Sequence, residues 1–272
     1  TPAAGPRYSV TGQVKLNDSL TGQYSAIALY PSNDTLVIGR DSVLHQGSYT
    51  FSNLPAGTYR LKFSAPHYLS DTTSLAAVTI TNTSLNLDPV TLYRYIRYAW
   101  LTDSHIGSGN DAALVAAFNQ IAAMKDELDF VIHTGDIAEK GLGSELTIYK
   151  NLVSACPITV WSVPGNHEAK WTESGLQDFK DLIGPTRYSF ENQGFKFLGV
   201  NSGIPLRRDG AFDPADVIWM ENELKQMENP DMPVVIAFHH PADYGSMFNY
   251  WQILDLAKRY RTVFVMVGHG HS

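Results

Sequence analysis

From Tyr8 to Arg94 apolar and polar residues alternate with a period of two, in "YSVTGQVKL", "SAIALYPS", "TLVIGRDSVL", "GSYTFSNL", "GTYRLKFSA", "AAVTI" and "LNLDPVTLYR". That period sends successive side chains to opposite faces, so each run reads as a short strand with one face turned to a core. Gly, Pro and Asn lie between the runs, and Pro55 and Gly57 mark a turn between two of them. About seven strands of this kind imply a small antiparallel all-β sandwich over residues 1–94.

At about Tyr95 the pattern changes. Apolar runs of strand length, "YIRYAWLTDS", "DFVIHTGD", "PITVWSVPGN", "MPVVIAFHHP" and "TVFVMVGHGHS", alternate with segments of helical period. In "DAALVAAFNQIAAMKDEL" the residues Leu114, Val115, Phe118, Ile121 and Ala122 share a helical face. "PADVIWMENELKQM" and "MFNYWQILDLAKRY" read as further helices, with Met247, Trp251 and Leu254 on the packed side of the latter. "SGLQDFKDLIG" reads as a helix with a charged face, and "RYSFENQGFKFLGVNS" as a hairpin. Strands alternating with helices define a layered α/β domain over residues 95–272.

Composition narrows the function. A chain of 272 residues with 44% hydrophobic and 17% charged residues is an ordinary globular protein of two-domain size. The formal charge of −7 argues against nucleic acid as the main partner, because phosphate backbones are bound by Lys and Arg. Six Lys and Arg face five Asp and no Glu up to residue 95, a net of +1, so the remainder carries −8. No apolar run approaches the roughly 20 residues of a membrane span. The start "TPAAGPRYS" has neither Met nor a signal-peptide core and reads as a mature or trimmed terminus. The single cysteine, Cys156, allows no internal disulfide and no thiolate cage, so a metal site must draw on His, Asp, Glu or Asn.

Such residues stand where the apolar strands end: Asp103 and His105 in "TDSH", Asp136 in "TGD", Asn166 and His167 in "PGNHE", His239 and His240 in "FHHP", and His269 and His271 in "GHGH". Ligands of open α/β sheets bind beyond the carboxyl ends of strands. The spacing of two in Asp103/His105 and in His269/His271 lets each pair serve one metal or two adjacent metals. Any one of these short motifs recurs by chance, and it is their order and placement that carry weight. His133 reads as a satisfied core histidine, and His45 and His67 receive no role. Arg207 and Arg208 suit either a substrate phosphate or a solvated loop. Tyr244, Phe248, Tyr250 and Trp251 suit either a pocket wall or, in part, the core.

The five blocks D-x-H, G-D, G-N-H-E, H-x-P and G-H-x-H, in this order, resemble the calcineurin-like metallophosphoesterases. The resemblance implies a four-layer αββα sandwich and two divalent metal ions, of Mn, Fe, Co or Zn. One would be held by Asp103, His105, Asp136 and His271, the other by Asp136, Asn166, His239 and His269, with Asp136 bridging. Only two carboxylates then offset four positive charges, an excess that suits a phosphate ester. The implied activity is hydrolysis of small phosphomonoesters or phosphodiesters by metal-activated hydroxide attacking phosphorus. His167 would serve the leaving group and Glu168 would orient His167; His240 falls outside the H-x-P spacing and either stands behind the ligands or lines the pocket. Purple acid phosphatases carry D-x-G and a tyrosine three residues after the bridging aspartate, where this chain has His105 and Glu139, so a tyrosinate-bound ferric ion is not expected. The first domain resembles the prealbumin-like or carboxypeptidase-regulatory-like domains of secreted proteins, which implies a bacterial secreted or periplasmic enzyme. The rival is a catalytically idle phosphoesterase fold used as a binding module. Family members continue with further strands past the last motif, so a frayed edge and a weakened metal site are expected at His271.

Overall fold

The computed structural model describes residues 5–16, 24–44, 46–65, 68–70, 77–109, 111–171 and 176–270. His45, His67 and His271 lie outside the described residues. The chain divides into two compact units, Thr1–Tyr95 and Ile96–Ser272.

The first unit has nine strands among its described residues: β1 Tyr8–Leu16, β2 Tyr24–Pro31, β3 Gly39–Leu44, β4 Gln46–Leu54, β5 Gly57–Ser64, β6 Tyr68–Ser70, β7 Val78–Ile80, β8 Leu85–Asn86 and β9 Val90–Arg94. One sheet runs β4-β1-β9-β6 with β8 also beside β1, and the other runs β3-β2-β5-β7. The inward positions of both sheets meet in one core, with Val10, Val14 and Tyr49 from the first and Ile27, Leu29 and Leu61 from the second. Pro55 and Gly57 do lie at the turn joining β4 to β5, where the Tyr59 hydroxyl donates to the Pro55 carbonyl at 2.7 Å. The pairing is not wholly antiparallel as expected, because β8 and β9 run parallel to β1. A period of two carries no strand direction, and the elements between β1 and β8 supply the long return that parallel neighbours need.

The second unit runs β10 Tyr98–Leu101, α1 Asp111–Ala123, β11 Phe130–His133, α2 Gly143–Ala155, β12 Val160–Ser162, α3 Asn166–Lys170, α4 Gln177–Leu182, β13 Arg187–Asn192, β14 Phe195–Val200, α5 Pro214–Lys225, β15 Val234–Ala237, α6 Trp251–Arg259 and β16 Thr262–Met266. β10-β11-β12 form a parallel sheet, and β13-β14-β15-β16 a second one whose only antiparallel pair is the β13–β14 hairpin. Gln193 and Gly194 close that hairpin with φ of 48° and 78°, the left-handed pair of a tight turn.

Alternation along the strands sorts the layers. Phe197, Val235 and Ala237 meet Phe130, Ile132 and Met266 in a core shared by both sheets. Their neighbours Leu198, Val234 and Ile236 turn instead to Met220 and Leu224 of α5 and Ile253 and Leu256 of α6. On the other side Leu114, Phe118, Leu146, Tyr149 and Phe179 join α1, α2 and α4 in a helical layer. The order is helix, sheet, sheet, helix.

Two helical faces differ from the sequence reading. In α1 only Leu114, Phe118 and Ile121 are buried, and Val115 is exposed. In α6 the buried pair is Ile253 and Leu256, while Trp251 and Leu254 face solvent. That helix begins at Trp251, after a turn in which the Asp243 carboxylate accepts from Gly245 N and Ser246 N, so Met247 is buried without belonging to the helix.

Candidate metal centre

The site is built from the segments that follow β10, β11, β12, β15 and β16. Backbone pairing continues past the strand ends: Asp103 N donates to Gly135 O and His105 N to Asp136 O, both at 3.0 Å, and Gly268 N donates to His239 O at 2.8 Å. The segments are thus held side by side in strand register. Asp103, His105, Asp136 and His269 adopt left-handed backbone, with φ of 51°, 45°, 51° and 71°. For non-glycine residues this costs about 1–3 kcal/mol each and concentrates at functional sites. Glycines admit the close packing. A Cβ on Gly165 would overlap the Asp136 carboxylate, and one on Gly268 would overlap the Thr102 hydroxyl.

Asp136 is the hub. Its Oδ1 accepts from the His167 backbone N–H at 2.8 Å, which fixes the carboxylate. Its Oδ2 then faces three imidazole Nε2 atoms, His239 at 3.1 Å, His105 at 3.8 Å and His167 at 3.9 Å. Burial alone would raise its pKa, but the His239 bond and the His167 N–H outweigh it and hold the carboxyl well below the usual carboxylate range. Two groups of donor atoms share it, His105–Asp136–His167 and Asp136–His239–His269. Asn166 Oδ1 joins the second, 3.1 Å from His239 Nε2 and 2.7 Å from His269 Nδ1. Asp103 Oδ1 stands 4.0 Å from His105 Nε2, and both its oxygens accept from His269 N at 3.1 Å.

The far nitrogens set the tautomers. His239 Nδ1 lies 2.9 Å from the Thr134 carbonyl, which accepts only, so the proton sits on Nδ1 and the Nε2 lone pair faces the site. Its pKa stands above the ordinary value, burial lowering it and the Asp136 carboxylate raising it by more. His105 Nδ1 pairs with Glu139 Oε2 at 3.0 Å, which again aims Nε2 inward. Imidazole ligands commonly hold metals with their outer N–H bound to a carbonyl or carboxylate in this way. His167 Nδ1 donates to the Glu139 carbonyl and leaves Nε2 over Asp136.

Glu168 does not orient His167, as the sequence reading has it. Its carboxylate accepts from Gly165 N at 2.7 Å, Ala138 N at 2.9 Å and Asp136 N at 3.1 Å, bracing the loops after β11 and β12. Burial and then the Asp136 charge push its pKa up to about 7, against the pull of the N–H bonds. Orientation of His167 falls to the main chain of Glu139. The sequence also gave no sign that the Glu139 side chain holds His105, because a lone Glu in "GDIAEKG" has no partner visible in one dimension.

His133 and His240 are neutral and enclosed. His133 Nδ1 accepts from Gly135 N at 3.2 Å, and its Nε2–H meets Ser104 Oγ at 3.0 Å, whose own proton goes to the Ile137 carbonyl. His240 Nε2–H donates to the Arg208 carbonyl at 2.9 Å and Nδ1 accepts from Ser202 Oγ at 2.8 Å. Burial lowers both to about 3. For His269 burial and the nearby His239 lower the pKa.

A cleft of about 640 Å³ opens beside the hub, lined by Asp103, Ser104, His105, Leu114, Glu139 and His167 among others, and none of its described lining residues is Lys or Arg. Of the residues expected at the centre, the structure gathers Asp103, His105, Asp136, Asn166, His167, His239 and His269. Arg207, Arg208, Tyr244, Phe248 and Trp251 are exposed and line no part of this cleft.

The model of a known family, calcineurin-like phosphoesterase, matches residues 96–272. A 3′,5′-cyclic-nucleotide phosphodiesterase of Nostoc sp. is 24% identical over 195 residues, 65% of this chain and 72% of that protein. A glycerophosphodiester phosphodiesterase of Enterobacter lignolyticus is 23% identical over 199 residues, 64% of this chain and 70% of that protein. Among solved structures, the yellow lupin purple acid phosphatase superposes with a TM-score of 0.50 at 13% identity, covering 92% of this chain. The chain spans 54% of the lupin protein's length.

Proposed function

The chain belongs to the calcineurin-like phosphoesterase family, and we propose that it hydrolyses small phosphodiesters at a pair of divalent metal ions that share Asp136. The observation that carries this reading is the single carboxylate oxygen, Asp136 Oδ2, facing imidazoles of both donor groups while its other oxygen is pinned by a backbone N–H. The donor set fits the metals: two carboxylates, an amide oxygen and imidazole nitrogens suit Mn, Fe, Co or Zn. Asp103, His105 and Asp136 would hold one ion, with His271 assigned to it from the sequence pattern, and Asp136, Asn166, His239 and His269 the other. Such ions supply Lewis-acid polarisation of the phosphoryl oxygens and an acidified water.

The chain's own groups do the rest. His167, held at Nδ1 by the Glu139 carbonyl, presents Nε2 to the cleft and donates a proton from it to the departing alkoxide. The cleft favours a diester over a monoester. Its described lining residues include the Glu139 carboxylate and no Lys or Arg, with Arg208 acting on His269 from outside them, which suits a phosphoryl group with one negative charge better than one with two. The relatives named as phosphodiesterases fit the same choice. In the first unit, the two sheets around one core support its reading as a prealbumin-like sandwich, and with it an exported enzyme.

The test is hydrolysis of bis(p-nitrophenyl) phosphate and p-nitrophenyl phosphate with added manganese or zinc. Turnover of the diester exceeding that of the monoester is expected, and His167→Ala should keep both metals yet lose roughly 10²–10⁴-fold in kcat. Two bound metals without turnover of either ester would instead establish the idle binding module.

A further inference from the structure

We propose that Glu139 is the positioning residue that couples the two imidazoles of the cleft, its side chain setting His105 for metal binding and its main chain setting His167 for proton donation. The inference rests on the reading of this centre as a metal site and deepens it. A histidine that binds through Nε2 must carry its proton on Nδ1, and a carboxylate accepting that proton fixes the ring plane and raises the basicity of Nε2. Glu139 Oε2 is placed for this at 3.0 Å from His105 Nδ1. The same residue's carbonyl takes the His167 Nδ1–H.

The backbone makes the coupling rigid. Glu139 N donates to Ile106 O at 2.9 Å, and Ala138 bridges Ile106 in parallel register, so Glu139 is stitched to the segment that carries His105. The two rings consequently meet edge to face, with centroids 4.5 Å apart and planes at 89°. Glu168 cannot take over this role, since both its oxygens are committed to backbone N–H groups. The two halves are separable, because replacing the side chain frees His105 and leaves the carbonyl hold on His167 intact.

The test is a manganese titration of the full chain by isothermal calorimetry, followed by diester kinetics at each metal concentration. The wild type should bind two ions. Glu139→Ala should weaken one of them by about 10–100-fold, the effect usual for losing such a partner, and leave the other unchanged. Glu139→Gln keeps an acceptor oxygen for Nδ1–H and should lose less. In both variants saturating manganese should restore kcat to within a few fold, because His167 stays in place. Affinities unchanged from the wild type at both sites in Glu139→Ala would overturn the inference and leave the function reading standing, as would equal weakening of both sites in Glu139→Gln. A wild type that binds no divalent ion would overturn the function reading itself. Should Glu139→Ala fail to fold, Glu139→Gln carries the comparison alone.

Discussion

Gly165 decides whether Asp136 can stand where it does. The two residues are so close that any side chain at 165 would occupy the space of the carboxylate. Gly165→Ala should therefore displace the Asp136 carboxylate. A shift of about 1 Å at a reacting centre can cost on the order of 10²-fold, so turnover should fall by at least that factor and metal stoichiometry below two, while circular dichroism stays that of the wild type. His133 makes a second prediction at this scale. Its proton is excluded in the folded state, where the pKa is about 3, and accepted in the unfolded chain near the ordinary 6.5. The unfolded state thus binds more protons as pH falls through that window, and this group's contribution to folding stability declines from about pH 6.5 towards pH 3, at up to roughly 1.4 kcal/mol per unit. Urea unfolding of the metal-free protein between pH 6 and pH 4 measures it, and His133→Gln should show the shallower slope. The residues that gather at the centre were legible in the sequence because their chemistry resides in residue type and order. Glu139 and Glu168 were not: one acts on a side chain 34 residues away and the other on three backbone N–H groups, and neither relation leaves a trace in spacing.

At the scale of elements, the strands were legible because the alternation in β14 and β15 directly encodes which layer each residue joins. The exposed face of α6 was not, because the phase of a helix depends on where it begins. With the start at Trp251 the buried pair is Ile253 and Leu256, at 1% exposure each, while Trp251 is 57% exposed. Ile253→Ala should then cost about 2–5 kcal/mol, the usual range for emptying a packed aliphatic site, and Trp251→Ala little or nothing. Chemical denaturation of the two variants decides the phase; a larger loss in Trp251→Ala would restore the face read from the sequence. The left-handed residues at the strand ends escaped prediction for a related reason. Asp and His adopt positive φ only where surrounding packing enforces it, and that packing comes from neighbouring strands remote in sequence.

For the molecule as a whole, the division at Tyr95 was legible as a change of period, and the cores follow it. Every residue of the first unit's core lies between Tyr8 and Leu92, and every residue of the three cores in the second unit lies between Ile96 and Val267. Among the described residues each of these four clusters belongs to one unit. Hydrophobic burial is the main stabilising contribution to folding and is local to the surfaces that meet, so each unit holds its own supply. The centre follows the same boundary: its gathered residues run from Asp103 to His269, and their partners, Thr134, Glu139 and Glu168, belong to the second unit. Removing residues 1–95 should therefore leave a folded second unit with kcat and manganese affinity within a few fold of the full chain. Calorimetry of the full chain should show the first unit's transition as a separable component that the shortened chain lacks. A shortened chain that folds but has lost diester turnover would mean that residues 1–95 contribute to substrate binding or to the form of the cleft, a dependence that nothing in the second unit's own packing requires.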